Sequence, residues 1–251
     1  MCVSAGAGYI VKSRLPEHHR SRDSITLVQL GVSLLATFTA IVLGLLTTSV
    51  KSAYDAAYAA RGTEAAAFAQ LDQCLRAYGP ETASIREQLQ SEVGAIIARA
   101  WPDEPPPSNV RYPNTSHMAQ MGESSALGAI LQQAHRDLVA LSPTDRADEM
   151  ILNDCNQQFS GLLRSRWAVI QGERPSISTP FYWVLVFWLI ILFATLGLCA
   201  PPDALAIIVI ALTAISITGA VYVILDLDLP YHGLFNVPST AMRNALDDMT
   251  R

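Results

Sequence analysis

The sequence predicts an all-α integral membrane protein, and composition and charge distribution are the observations that predict it. The chain has 251 residues, of which 51% are hydrophobic and 16% charged, and its mean hydropathy is +0.27. Residues 24 to 50, 175 to 202 and 204 to 225 contain no charged side chain. Because about 20 apolar residues cross a hydrocarbon core of ~30 Å, each run is long enough to span a membrane. A soluble enzyme, a disordered protein and a secreted disulfide scaffold are therefore excluded for the chain as a whole.

Residues 1 to 23 form an N-terminal arm with two possible interpretations. The first eleven are mostly small and apolar, and the next twelve are polar. The segment is either a disordered tail or the last turns of an earlier membrane helix lost from the start of the chain. Eleven residues are too few to span a bilayer, and basic residues follow the apolar stretch instead of preceding it, which argues against a signal peptide.

The first span, residues 24 to 50, is expected to continue as one helix to about residue 78. The Ala-rich continuation keeps larger side chains three or four residues apart, which is typical of a helix. Gly79 and Pro80 are expected to end it, because these residues mark helix termini. The result is a single helix of about 55 residues.

Residues 51 to 180 are predicted to form a helical region outside the membrane. A second amphipathic helix covers residues 81 to 101, and a loop covers 102 to 116, where five prolines fall within 12 residues. Two later stretches, Leu127 to Leu141 and Leu152 to Val169, carry apolar residues at heptad spacing and need packing partners.

The second and third spans, residues 181–199 and 204–225, are predicted to form an antiparallel hairpin. Pro201, Pro202 and Asp203 lie between them and are typical of a tight turn. Residues 226 to 251 are interpreted as a C-terminal tail.

The orientation in the membrane is predicted from the basic residues, which are more numerous on the cytoplasmic side of membrane proteins. Their numbers on the two sides of the membrane are nearly equal here, and we expect the helical region to be cytoplasmic.

The first span carries two candidate functional stripes. Small and weakly polar residues form a candidate helix-packing face, since they let helix backbones approach closely: Ser33, Thr37, Ala40 and Gly44. Leu34, Phe38 and Val42 form an apolar stripe, which contacts lipid or core, or else lines a hydrophobic pore neck at an oligomer axis.

Arg166 and the end of the third span supply the candidate ion-pair residues. Arg166 falls on an apolar seam, where it either reaches water at the seam's edge or forms a buried ion pair with an acidic residue such as Asp72. Asp226 and Asp228 are expected to bind arginines of the helical region, Arg166 or Arg174. Calcium binding by these two carboxylates is the alternative.

The sequence offers little catalytic chemistry, and we predict neither an enzyme, nor a metal site, nor a cofactor. It lacks the nucleotide-binding and hydrolase motifs, and His18 and His19 have no metal ligands at suitable spacing. Cys2, Cys74, Cys155 and Cys199 are scattered, which indicates neither a disulfide framework nor a zinc site. A net charge of −5 argues against nucleic acid as a partner. The spans also lack the ionisable residues typical of proton-coupled transporters.

Several motifs in order along the chain resemble the bacterial bestrophin-like domain family. They cover residues 15 to 246 and read, in order, LPEHH, LGLLTTSVKSAYDAA, LDQCLRAYGPE, RSRWAVIQ, FYWVLVFWLIILFATLGLCAPPDA and VILDLDLPYHG. The resemblance implies a multi-helix membrane protein of the bacterial inner membrane that self-associates, as a pentamer by analogy with bestrophins, and passes chloride or other small anions. It also implies an additional membrane span before LPEHH. We therefore expect that a fourth, N-terminal span is truncated here, and that residues 1 to 23 include its remnant.

The last motif departs from the family pattern at one position. Asp226, Asp228, Pro230 and Gly233 fit it, but Leu229 stands where the family usually has an arginine. An oligomeric anion-permeable channel is therefore one hypothesis. A membrane-anchored helical scaffold without transport, motivated by the two heptad seams, is the other.

Overall fold

The computed structural model describes residues 1–14, 22–119, 122–172, 177, 179–201, 203–229, 231 and 233–251. Within these residues the chain is α-helical, with no strand. It divides into two compact units, Met1–Ser52 with Pro175–Asp228, and Ala53–Arg174 with Leu229–Arg251. We call them the membrane unit and the helical unit.

Eight α-helices follow one another along the described chain. They are α1 (Cys2–Arg14), α2 (Arg22–Tyr78), α3 (Ala83–Ala100), α4 (Ser125–Val139), α5 (Arg146–Gly172), α6 (Thr179–Cys199), α7 (Ala204–Leu227) and α8 (Thr240–Thr250). Three of them contain segments long and apolar enough to cross a membrane: Thr26–Tyr78, Pro180–Cys199 and Ala204–Leu227. The predicted fold class of three spanning helices with an all-helical region is confirmed.

Helix α2 is continuous over 57 residues, where the periodicity predicts about 55. It ends at the predicted place, because Gly79 adopts a φ of 137°, a conformation that favours glycine. The Thr82 hydroxyl then donates hydrogen bonds to the carbonyl oxygens of Leu75 and Gly79, at 2.7 and 2.8 Å. These bonds satisfy carbonyls that the end of the helix leaves without partners.

The membrane unit contains α1, the first part of α2, α6 and α7. Leu46 and Val50 of α2 pack with Leu185 and Leu189 of α6 in its interior. The interpretation of residues 1 to 11 as a disordered tail is wrong, because they belong to a helix that packs against α6.

Glycine makes the close packing of α1 and α6 possible. A Cβ atom added to Gly8 would lie 1.9 Å from the carbonyl oxygen of Ala194, and one added to Gly197 would lie 2.0 Å from that of Ala5. The backbones therefore touch at these two points, as small residues allow in membrane helix pairs.

The helical unit has a large apolar core to which every one of its helices contributes. Phe68 and Leu71 of α2, Leu89 of α3, Leu131 of α4 and Phe159 of α5 are almost completely buried. Both heptad seams contribute to this core, with Leu127, Leu138 and Leu162 among its buried members, and Val169 is buried as well. Their predicted need for packing partners is met within the unit.

The segment interpreted as a tail contains helix α8, which the sequence analysis missed. Met242, Leu246 and Met249 lie on one face of α8 and are buried in the core. Arg76 and Arg86 donate hydrogen bonds to the carbonyl oxygen of Met249, at 2.8 and 3.2 Å. Cations at a helix C-terminus are stabilising, because they satisfy free carbonyls and oppose the helix dipole.

A disulfide joins Cys74 of α2 to Cys155 of α5, with the two Cα atoms 5.6 Å apart. The prediction that the cysteines form no disulfide is wrong at this pair. The residues are 81 positions apart in sequence and meet only because α2 and α5 pack together.

Candidate functional site

Only part of the apolar stripe of α2 is exposed on the surface of the membrane unit. Leu34 and Phe38 are 60% and 51% exposed. Val42 is half-buried and packs against the cluster formed by Leu46, Val50 and their neighbours. The structure therefore keeps Leu34 and Phe38 together on the outer surface of α2 and separates Val42 from them.

The candidate packing face of α2 is exposed in the single chain at Ser33, Thr37, Ala40 and Gly44. The hydroxyls of Ser33 and Thr37 donate to carbonyl oxygens one turn earlier in the same helix, each at 2.9 Å. No atom of the described residues lies within 4 Å of the position of an added Gly44 Cβ. This face is available to a partner outside the chain, and its role in packing stays a prediction.

The exposed surface of α2 between residues 33 and 44 therefore consists of uncharged side chains. Leu34 and Phe38 are apolar, and the hydroxyls of the adjacent face have their hydrogen atoms committed to the helix backbone. Such a surface can contact lipid, another helix or a narrow hydrophobic passage.

Asp226 and Asp228 lie at the end of α7, and both are half-buried. An Asp228 carboxylate oxygen accepts a hydrogen bond from the backbone N–H of Ile177 at 3.2 Å. Among the described residues, no group of three or more His, Cys, Asp or Glu side chains could hold a metal ion. Gly233 is exposed, with a φ of 87°. Pro230 and Arg174 lie outside the described residues.

Arg166 and Glu92 form a buried charge centre in the helical unit, and the exposed Glu123 lies at its edge. Arg166 of α5 is 6% exposed and donates to a carboxylate oxygen of Glu92 on α3, a residue with no exposed surface. Its second terminal nitrogen donates to Glu123, just before α4, at 3.3 Å. Arg166 is therefore buried in an ion pair and does not reach water at the edge of a seam.

The expectation that Asp72 binds Arg166 is wrong, whereas the expectation that Asp226 and Asp228 bind arginines stays a prediction. Asp72 instead accepts hydrogen bonds from Arg76 at 2.7 Å and from Arg86 at 2.8 Å. The carboxylates that bind Arg166 within the helical unit are those of Glu92 and Glu123.

Burial dominates the electrostatics of Glu92. Removal from water raises the pKa of its carboxyl group from 4.5 to about 7, although Arg166 opposes this rise. Burial also disfavours the charge of Arg166, but Glu92 and Glu123 together raise the pKa of the guanidinium. One carboxylate oxygen of Glu92 has no hydrogen-bond partner among the described residues. The centre therefore contains a carboxyl group that titrates near neutral pH.

A second buried ion pair, which the sequence analysis missed, joins Arg61 and Glu64 of α2 at 2.7 Å. The Arg61 guanidinium also lies over the rings of Tyr231 and Trp101, at 4.9 and 5.5 Å from their centroids. Such cation–π contacts stabilise a desolvated cation. The sequence does carry a signal for this pair, because Arg61 falls in the helical period of the side chains on the buried face of α2.

Arg99 links α3 to the chain before α4. It donates hydrogen bonds to the carbonyl oxygens of Ala119 and Gly122. Arg99, Arg166 and Glu123 thus attach the end of the Pro-rich segment to the helical core. These charges therefore have their partners within the helical unit.

Comparisons with known proteins agree on one family. The sequence model of the bestrophin-like domain matches residues 2–242. No curated protein matches this chain at a significant level.

Solved structures similar to this chain include bestrophin homologues from a bacterium. Two forms of a bestrophin homologue from Klebsiella pneumoniae, one of them a single-residue variant, share 15% and 14% sequence identity with this chain. Their TM-scores are 0.70 and 0.71. A further structure, described as a membrane protein, has 16% identity and a TM-score of 0.71. Each comparison covers 100% of this chain and 97% of the other. At these identities the likeness shows a shared fold.

Proposed function

Because this chain belongs to the bestrophin-like domain family, we propose that it forms a homo-oligomeric membrane channel that passes chloride or other small anions. The observation that carries this proposal is the uncharged outer surface of α2, where Leu34 and Phe38 are exposed. A surface of this kind requires a partner other than water.

An assembly of several copies would give the α2 surface such a partner. The three spanning segments have only 11%, 28% and 6% of their most apolar stretches buried within the chain. In the proposed assembly, the face of Ser33, Thr37, Ala40 and Gly44 packs on a neighbouring copy, while Leu34 and Phe38 face the axis. A pentamer is the arrangement suggested by the resemblance to bestrophins.

The proposed passage is passive. Proton-coupled transporters place ionisable side chains within the membrane, and the three charge-free runs of this sequence supply none. Hydrophobic constrictions gate ions by dewetting and need no charged side chain. We accordingly propose transport without catalysis or a cofactor.

We place the protein in the inner membrane of a bacterium, with the helical unit in the cytoplasm. Asp226 and Asp228 lie where α7 ends, and the proposed role of this segment is to hold the end of the span. Asp228 supports that role through its hydrogen bond to the Ile177 backbone.

The alternative hypothesis of a scaffold without transport rests on the two heptad seams. Both seams are buried inside the helical unit, with Leu131, Leu138 and Phe159 at most 2% exposed. Among the described residues, the seams therefore leave no apolar face open to another protein, which counts against the scaffold.

The test is purification of the full chain in detergent, mass measurement by light scattering, and reconstitution into chloride-loaded liposomes. We expect a mass of several 27.2 kDa chains and chloride efflux that depends on protein density. Protein-free liposomes and liposomes loaded with a large organic anion serve as controls. A monomer without chloride efflux would contradict the proposal.

A further inference from the structure

The Cys74–Cys155 pair is accessible from one side only. The Cys74 side chain is 8% exposed, whereas Cys155 has no exposed surface. A surface cleft of about 420 Å³ reaches Cys74, and its walls include Gln73, Met150 and Asp154. Cys74 lines this cleft and Cys155 does not, so a small molecule in the cleft meets Cys74 first.

We propose that the Cys74–Cys155 pair is a thiol–disulfide exchange site, which a small aliphatic thiol such as glutathione opens by attacking the Cys74 sulfur from this cleft. The proposal rests on the asymmetry of access, since exchange requires a thiolate to reach one sulfur of the bond. It concerns the helical unit alone and does not depend on the transport proposal.

The exchange proceeds in two balanced steps. The incoming thiolate forms a bond to the Cys74 sulfur, the Cys74–Cys155 bond breaks, and Cys155 leaves as a thiolate that takes up a proton. A second thiolate then attacks the external sulfur of the mixed disulfide and releases Cys74 as a thiol. Two external thiols are thereby oxidised to one disulfide, and the protein pair gains two electrons and two protons. The reverse sequence, with the external disulfide as oxidant, closes the pair again.

Asp154 lies at the place where the attacking thiolate must enter. One of its carboxylate oxygens is 3.7 Å from the Cys74 sulfur, and the side-chain amide of Gln158 donates to the same oxygen at 2.8 Å. This negative charge repels an anionic nucleophile and slows the attack. At about 1 kcal/mol for two unit charges 4 Å apart in water, its removal corresponds to a rate increase of about fivefold.

The test uses the full chain in detergent without denaturant, carrying Cys2→Ser and Cys199→Ser so that only the pair remains. The protein is equilibrated in glutathione buffers from fully reduced to fully oxidised, starting from either state, and free thiols are trapped and located by mass spectrometry. We expect the oxidised fraction to reach the same value from both directions. We also expect the mixed disulfide with glutathione on Cys74. The same measurement on the unmutated chain guards against misfolding of the double variant.

The charge at the cleft provides a second readout. Asp154→Asn should speed opening by glutathione about fivefold, whereas Asp103→Asn, which removes an exposed carboxylate of the Pro-rich loop, should not change the rate. The proposal is overturned if the pair opens only in denaturant, if oxidised glutathione fails to close it, or if the mixed disulfide forms on Cys155.

Discussion

The two units of this protein use polar and apolar side chains in opposite ways. The membrane unit exposes large apolar residues such as Leu34, Phe38 and Phe187, each more than half exposed. The helical unit buries most of its large apolar residues in one core and also buries charges, with Glu92 and Arg166 at 0% and 6% exposure. Each pattern fits a different surrounding medium.

The difference shows where each unit obtains its stability. The helical unit has its own core and a disulfide, and its buried charges have partners within the unit. The membrane unit has two small apolar clusters in its interior. Many of its large apolar side chains are exposed in the single chain, where lipid or other copies of the chain can cover them. Substitutions of the same kind should therefore have unequal effects in the two units.

The largest effect is expected from breaking the buried charge centre. At pH 9, above the pKa of Glu92, Arg166→Met leaves this carboxylate buried without its cation, and we expect a loss of about 3 to 5 kcal/mol in the free energy of unfolding. The double variant Glu92→Leu with Arg166→Met should recover most of this loss, because no charge remains unpaired. Urea unfolding of the detergent-solubilised chain, followed by tryptophan fluorescence, measures both. A loss below about 1 kcal/mol for the single variant would show that the pair is solvated.

A matched pair of leucine substitutions compares the two units directly. Leu71→Ala in the helical core, where the side chain is fully buried, should cost about 2 to 5 kcal/mol. Leu34→Ala on α2, where the side chain is 60% exposed in the single chain, should cost less than about 1 kcal/mol. Equal losses in the same unfolding experiment would remove the distinction between the units.

The pH dependence of stability should come from Glu92. Its pKa is raised from 4.5 to about 7 in the folded protein, so between these values the folded state binds more protons than the unfolded state. Stability must then fall as pH rises from about 4.5 to 7, by at most about 3 kcal/mol.

Glu92→Gln is the control for this pH dependence. Because glutamine does not titrate, the variant should show a flatter profile over the same range when unfolding is measured at several pH values. A profile that is unchanged by Glu92→Gln would assign the dependence to another group.

A smaller effect is expected from the contact between α1 and α6. Gly197→Ala places a methyl group 2.0 Å from the carbonyl oxygen of Ala5, so the helices must separate, at a cost of about 1 to 3 kcal/mol. Gly44→Ala is the control, because it meets open space in the single chain. Hydrogen exchange of the α1 backbone amides should accelerate in the first variant only. Unchanged exchange would mean that α1 does not rely on this contact.

Local patterns in the sequence were enough to predict the spans and the long helix. Charge-free runs and the Gly79–Pro80 stop act within a few residues, and these appear in the structure as expected. The sequence placed Arg166 on an apolar seam but left open whether it reaches water or forms a buried ion pair. It forms the ion pair, but Asp72 and Glu92 look alike in sequence, and only the tertiary fold brings Glu92 to Arg166.

The features that were missed depend on contacts between residues far apart in the chain. Cys74 and Cys155 form no recognisable spacing motif, and packing of α2 on α5 brings them together. Helix α8 has 11 residues, and its buried face at Met242, Leu246 and Met249 is short enough to pass for a polar tail. In the membrane unit, the stripe of Leu34, Phe38 and Val42 shares a helical spacing. The partly buried position of Val42 nevertheless depends on α6 and α7.

The most direct test of the proposed channel compares two phenylalanines in chloride efflux from liposomes. Phe38 of α2 and Phe187 of α6 are 51% and 59% exposed in the single chain. If Phe38 faces the axis of an oligomer, Phe38→Ala widens a hydrophobic constriction and should raise chloride efflux severalfold. Phe187→Ala should leave efflux unchanged, because this side chain then faces lipid. Equal efflux from both variants and the unmodified protein, or no efflux from any of them, would contradict the account.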